Sequence, residues 1–288
     1  MSLRYIVGVD GSRPSRSALQ WAIDRARHDP APMVLVHVDE PAVSSAGHPY
    51  KQGAAGYGAE LLADAVGQVI AAAPEIPVTV ALLTGSVPLA LAGFVGVHDL
   101  LVIGTGKTGF LHGRVLGSRS VQIAIAVACT VSVVPEVDLR FRRGVVAGID
   151  RIETSASVAR LAAHEAKARG EELLLLQAVP ASATRLSASE RAGLALTGAT
   201  ERARAECPDL VIRSRVATRQ PAEALLDSAR DKVLLVLGPG SLDPLRSPIG
   251  SVLHDVLLNA NAPVLIARPP DDRELVGPIV PAGTVRAG

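Results

Sequence analysis

The chain carries one text twice, and that repeat limits its fold more than any other feature. RYIVGVDGSRPSRSALQWAIDRAR and FRRGVVAGIDRIETSASVARLAAHEAK align at a constant offset of 140, pairing Gly8 with Gly148, Asp10 with Asp150, Ser15 with Ser155, Ala22 with Ala162 and Ala26 with Ala166. Further on, MVLVHVDEP (33–41) falls on ELLLLQAVP (172–180). Such a period is far too long for a solenoid, so each copy must be a complete domain of ordinary size. The expected division is 1–137 and 138–270, joined through PEVDLR (135–140), with a frayed Pro/Gly-rich tail at 271–288.

Each copy reads as apolar strands alternating with helices. In the first, strands are expected at 5–9, 33–38, near 77–82, 100–104 and 130–134, with helices after Ser12 or Ser15, over 59–73, 87–96 and from Ser118 to about 128. Residues 42–58, rich in Gly, Ser and Ala, read as a mobile loop. The second copy repeats the order at 144–149, 172–178, 209–215, 232–237 and 263–267 without that loop. Alternation of this kind means a parallel sheet with right-handed crossovers. The composition agrees: 48% of residues are apolar but only 2% aromatic, so the cores are Val, Leu, Ile and Ala.

Several function classes drop out. Net charge is +1 and the cations are dispersed, which argues against nucleic acid. The most apolar stretch, 80–97, is broken by Gly85, Pro88, Gly93 and Gly96, which argues against a membrane span, and no signal peptide is legible at the start. Cys129 and Cys207 lack metal-ligand spacing, and Cys129 reads as core. A cytosolic, reduced setting is expected. The neighbouring pairs His28-Asp29, His98-Asp99 and His254-Asp255 do not face one another as a base and its orienter would. His37 reads as a polar structural group at a strand end and Trp21 as helix packing.

Chemistry concentrates in LLVIGTGKTGFLHGRVLGSRS (100–120), a strand, a Gly-rich loop and a helix start. Glycines let main-chain amides approach an anion, and a helix N-terminus adds unpaired N–H groups. The only charges in the loop are Lys107, Arg114 and Arg119, and Ser118 and Ser120 add hydroxyls. The run suits a polyphosphate. It is not a P-loop, since Leu101 stands where the first glycine belongs. Gly104, Gly106 and Gly109 spell the dinucleotide pattern, with Glu136 after the next strand as a ribose acid, and leave a dinucleotide-dependent oxidoreductase as the enzyme rival. Against that rival, the glycines follow the fourth strand, and Gly113 and Gly117 interrupt the segment where the pattern wants helix.

The set VGVDGS, LVHV and G-x(2)-G-x(9)-G-S leading into a helix and a last apolar strand resembles the universal stress protein family, over nearly all of both copies. The resemblance implies two tandem α/β domains, doubly wound and Rossmann-like with strand order 3-2-1-4-5, and in one branch of the family bound ATP; a member that binds no nucleotide and acts through protein contacts is the alternative within the family. Carried over by position, Gly8, Val9 and Asp10 contact the nucleoside and Val38 supports adenine. Ile103 and Gly104 open the phosphate loop, and Gly117, Ser118, Arg119 and Ser120 close it. The middle glycine falls on Lys107, with Gly106 beside it. Mg²⁺ accompanying ATP would use Asp10 and phosphate oxygens. The family's last strand is a pairing edge, implying an intrachain pseudo-dimer, further pairing of chains into a homodimer, and a protein partner for a sensor or regulator.

The second copy keeps Asp150, Gly238, Gly250 and Ser251 but replaces Gly11 by Arg151 and Ser120 by Leu253. Pro239, Pro244 and Pro248 remove amide donors and Asp243 adds negative charge, so this site is expected to be degraded. No general base beyond Asp10 is evident near the first loop, so at most slow ATP hydrolysis is expected.

Overall fold

A computed structural model describes residues 3–40, 54–106, 119–180, 186–240 and 249–268. The first half runs β1 (Tyr5–Gly8), α1 (Arg13–His28), β2 (Met33–Asp39), α2 (Ala54–Ala72), β3 (Val78–Thr84), α3 (Val87–Phe94), β4 (Leu100–Thr105), α4 (Arg119–Ala126) and β5 (Thr130–Pro135). The second runs β6 (Val145–Gly148), α5 (Ile152–Arg169), β7 (Leu173–Ala178), α6 (Leu186–Glu206), β8 (Ile212–Ala217), α7 (Pro221–Ala229), β9 (Leu234–Leu237), α8 (Ser251–Leu258) and β10 (Val264–Ile266). One ten-stranded sheet results, in the order β3-β2-β1-β4-β5-β10-β9-β6-β7-β8. Pairing is parallel within each half and antiparallel where β5 meets β10.

Strand side chains alternate between two apolar layers. Tyr5, Val7, Leu100 and Val102 face α1, α2, α5 and α6, whereas Ile6, Leu101 and Ile103 face α3, α4, α7 and α8. Both faces of the central strands are covered, which is why those strands read as unbroken apolar runs, whereas the edge strands β3 and β8 are exposed along much of their length. Ala18, Ala22 and Ala26 are fully buried along α1 and let that helix lie close on the sheet. Among the described residues no helix is long and apolar enough to cross a membrane.

Helix α2 begins at Ala54, so residues 54–58 are helical and not part of the loop expected over 42–58. Gly58 explains the misreading: a Cβ there would lie 2.7 Å from His37 Cδ2 and 2.9 Å from Leu82 Cδ1. The glycine serves close packing of helix on sheet. Residues 42–53 of that segment and the tail 271–288 lie outside the described residues.

The halves meet about a local two-fold axis. Val133 pairs with Val264, Ser132 with Leu265 and Val131 with Ile266. In this part of the repeat the offset is 133 (Gly117 to Gly250), so Ser132 and Leu265 are equivalent residues facing each other on the axis. Arg25 of α1 and Glu165 of α5 meet on the same side of the sheet, buried, with Nη2–Oε1 at 2.5 Å. Arg169 pairs with Glu165 as well and stacks over Trp21, its guanidinium carbon 5.6 Å from the ring centroid. Trp21 therefore packs against the other half as well as within its own helix.

Arg25 also donates to the Tyr5 hydroxyl, which in turn donates to the Asp29 carbonyl oxygen at 2.7 Å. Burial pushes the Tyr5 pKa up to about 12, against the opposing charge of Arg25. The unfolded chain loses this proton near pH 10 and the native state only near 12, so stability should fall across that window. The loss should reach about 2–3 kcal/mol at its end. Tyr5→Phe should flatten this part of the alkaline limb, read as urea midpoints at pH 9 and pH 11.5. An unchanged alkaline loss in the variant would show that another group carries it.

Candidate functional site

The strand order reverses between β1 and β4, whose neighbouring carboxyl ends part to leave a cleft, the usual ligand position in an open α/β sheet. The cleft holds about 480 Å³, within the range of small-molecule sites. Its walls are apolar below, from Val36, Val38, Leu91 and Ile103, and polar at the mouth, from Asp10, Ser12, Ser15, Arg119 and Ser120.

Each polar wall has a local cause. Asp10 follows the last strand residues and its Oδ1 accepts from the Ser12 amide at 2.9 Å, closing the turn that launches α1. Ser12 caps the helix by accepting from the Ser15 amide at 3.2 Å, with Pro14 in the first turn. Ser15, buried, donates to the Gly8 carbonyl at 3.2 Å and accepts from the Asp10 amide, fixing β1 to α1. Gly11 takes φ +77° and sits where a Cβ would meet Leu61 Cδ2 at 2.9 Å.

Gly104 has a packing duty that motif reading did not assign. A Cβ on it would overlap the Pro14 carbonyl group and stand 2.6 Å from the Ser15 nitrogen, so β4 and the first turn of α1 touch backbone to backbone. Gly106 is looser, 3.8 Å from Pro14 Cγ by the same measure.

At the opposite wall Arg119 opens α4, and its Nη2 lies 2.8 Å from Glu40 Oε2. Glu40 Oε1 accepts from the Val87 amide at 3.1 Å and so caps α3. One carboxylate thus ties the end of β2 to the starts of two helices beside the cleft. Ser120 is buried, its hydroxyl 3.0 Å from that of Thr105. His37 lines the cleft with its ring tied back on both sides: Nδ1 donates to the Val9 carbonyl at 2.6 Å and Nε2 lies 3.3 Å from Asp39 Oδ1.

Of the residues singled out from the sequence, Gly8, Val9, Asp10, Val38, Ile103, Gly104, Gly106, Arg119 and Ser120 all line this cleft. Lys107, Gly109, Gly117 and Ser118 lie outside the described residues, as do Asp243, Pro244 and Pro248 of the second loop. Glu136 is not in the cleft lining; it lies 3.9 Å from Arg13 at the surface. Asp99 is a buried partner of Arg4, held by two hydrogen bonds at 2.7 and 2.9 Å. His254 and Asp255 do approach each other, to 3.6 Å, on the exposed side of α8. Burial pushes the Cys129 thiol up to about 11, consistent with a core role. Among the described residues no group of three or more His, Cys, Asp or Glu side chains is placed to hold a metal ion.

The equivalent cleft of the second half, lined by Asp150, Gly238, Gly250 and Ser251 among others, holds about 280 Å³. The two described ends of its loop, Pro239-Gly240 and Gly250, meet at the start of α8. The Gly250 amide donates to the Pro239 carbonyl at 2.9 Å, and a Cβ on Gly250 would stand 2.6 Å from Gly240 O. Arg151, where the first half has Gly11, reaches from Asp150 (Nε–Oδ2 3.3 Å) toward the Gly240 carbonyl (3.5 Å). A ligand there would have to displace Arg151 from Asp150 and from the Gly240 carbonyl. Sequence reasoning missed Glu40 and the reach of Arg151; the latter was signalled by a charged residue replacing glycine beside an acid.

The profile described as the universal stress protein family matches residues 1–135 and again 142–268. A universal stress protein of Mycobacterium tuberculosis is 27% identical, with 98% of each chain covered. One from Mycolicibacterium smegmatis is 29% identical over 92% of this chain and 96% of its own. In fold, the chain is similar to the crystal structure of a universal stress protein from Archaeoglobus fulgidus. That likeness has a TM-score of 0.69 at 16% identity, over 93% of this chain and 97% of that one.

Proposed function

We propose that this chain, which belongs to the universal stress protein family, binds ATP in the cleft of its N-terminal half and acts as a nucleotide-dependent sensor in the stress response. One observation carries the reading. The two halves place the same cleft at the same strand ends, but the first is the larger, about 480 against 280 Å³, and among the described residues only the second has an arginine, Arg151, laid from its aspartate to the end of its loop. Val38 and Ile103 offer an apolar bed for adenine, and Asp10 an acceptor for ribose hydroxyls. The start of α4, with Arg119, supplies positive potential for phosphates. A Mg²⁺ ion arriving with ATP would be shared between Asp10 and phosphate oxygens.

Calorimetric titration of the full chain with ATP tests the reading. The expected result is one site per chain, weakened by Asp10→Asn. Glu40→Gln keeps an acceptor for the Val87 amide but releases Arg119 from its carboxylate. Because an exposed ion pair is worth at most about 1 kcal/mol, that variant should bind ATP up to about fivefold more tightly. Two equivalent sites, or no heat with ATP, would sink the proposal. Tight NADH binding that ATP does not displace would favour the oxidoreductase reading instead.

A further inference from the structure

The charged residues at the midline carry a sign pattern that the repeat makes legible. Arg25 and Glu165 occupy the same position in the two copies, at the offset of 140, and so do Asp29 and Arg169. The first helix therefore reads plus then minus four residues on, and the fifth reads minus then plus. Equivalent residues near a two-fold axis face each other, as Ser132 faces Leu265. Arg25 and Glu165 do the same, 9% and 3% exposed, and Arg25 Nε also donates to Glu165 Oε1 at 2.9 Å.

Opposite signs at one repeated position have a consequence for partner choice. Two N-terminal halves joined through β5 would bring Arg25 against a second Arg25, buried. Two C-terminal halves joined through β10 would bring Glu165 against Glu165. Only a first half on a second half pairs the two charges across the axis. We infer that Arg25 and Glu165 select the partner across the midline of the sheet: the β5–α1 face accepts a C-terminal half and rejects a second N-terminal half. The attraction alone does not carry the inference, since a buried ion pair repays its desolvation only in part. What discriminates is the like-charge alternative, which would leave two desolvated charges repelling.

One feature pulls the other way. The Ser132 hydroxyl is buried on the axis without a hydrogen-bond partner among the described residues, and a second Ser132 would satisfy it. Asp29 and Arg169 would stay beside their partners in either like pairing, but a single neutral hydrogen bond is a smaller effect than two buried like charges set against each other, so the charges decide.

The test uses full-length Arg25→Glu, Glu165→Arg and the double exchange. Each single variant puts like charges on the axis and should lower the thermal midpoint by about 10 °C. The exchange restores the cross-axis pair but sets a new carboxylate beside Asp29 and a new guanidinium beside Arg169. It should therefore recover at least half of the summed loss, but not all of it. The two single variants, one isotopically labelled, are then unfolded and refolded together. One chain now carries a carboxylate at this position in both halves and the other a guanidinium in both. Their mixture should give a mixed species above its statistical share in native mass spectra. Labelled and unlabelled wild type should not exceed that share. Additive losses in the exchange variant, or a statistical mixture of the two single variants, would overturn the inference.

Discussion

Gly104→Ala should destabilise the protein by about 3 kcal/mol or more, at the upper end of what overpacking costs. A Cβ at this position meets main-chain atoms of Pro14 and Ser15, which cannot rotate away as the tip of a side chain would. Either the first turn of α1 lifts from β4, breaking the hydrogen bonds of Ser15 to Gly8 and Asp10, or β4 shifts within the sheet. The second half supplies the control. At Gly238 the nearest atom to a new Cβ is Val158 Cγ2 at 3.3 Å, a side-chain methyl that yields by a few tenths of an ångström. Gly238→Ala should cost about 1 kcal/mol or less. Urea midpoints of the two variants measure the contrast, and equal losses would contradict it. Pro14, Ser15 and Gly104 all line the first cleft, so Gly104→Ala should also weaken ATP binding more than its loss of stability alone explains.

Gly104 also marks the boundary of what was legible in the sequence. Strand positions were, because covering both faces of a parallel sheet writes each strand as an apolar run flanked by turn residues. The cleft was legible too: Asp10 and Gly104 end two strands, and glycines at strand ends mark close approach whether the neighbour is a ligand or a helix. That ambiguity is where motif reading fell short. It assigned Gly104 to phosphate, whereas the main chain of α1 already demands a glycine there. Gly56 and Gly58 misled in the same way, weak helix formers placed inside α2, one of them because the sheet leaves it no room for a side chain. The long-range charges were hidden for another reason. Arg25, Glu165 and Arg268 look like ordinary surface residues along the sequence, and burial becomes visible only once the halves are docked. Comparing the sign of charge at aligned positions would have revealed the first two; no comparable signal marks Arg268.

Arg268 should also be costly to remove. It follows β10, yet its guanidinium reaches into the other half, donating to the carbonyl oxygens of Ala124 (2.6 Å) and Val127 at the end of α4. Its own backbone meets Thr130 Oγ1 at 3.3 Å. The last carbonyls of a helix have no partner within it, and these would be left unpaired in a part-buried site without the arginine. Each orphaned carbonyl costs about 1–3 kcal/mol. Against this stands relief from burying the guanidinium, whose pKa burial draws down and whose Nε has no partner among the described residues. We therefore expect Arg268→Met, which keeps most of the volume, to lose about 2–3 kcal/mol, and Arg268→Lys to lose less because one ammonium donor can still reach one carbonyl. Helix α4 begins at Arg119 and Ser120 in the first cleft, so freeing its far end should also raise hydrogen exchange along 119–126. If Arg268→Met matches wild type in both urea midpoint and exchange, the cap contributes nothing to joining the halves.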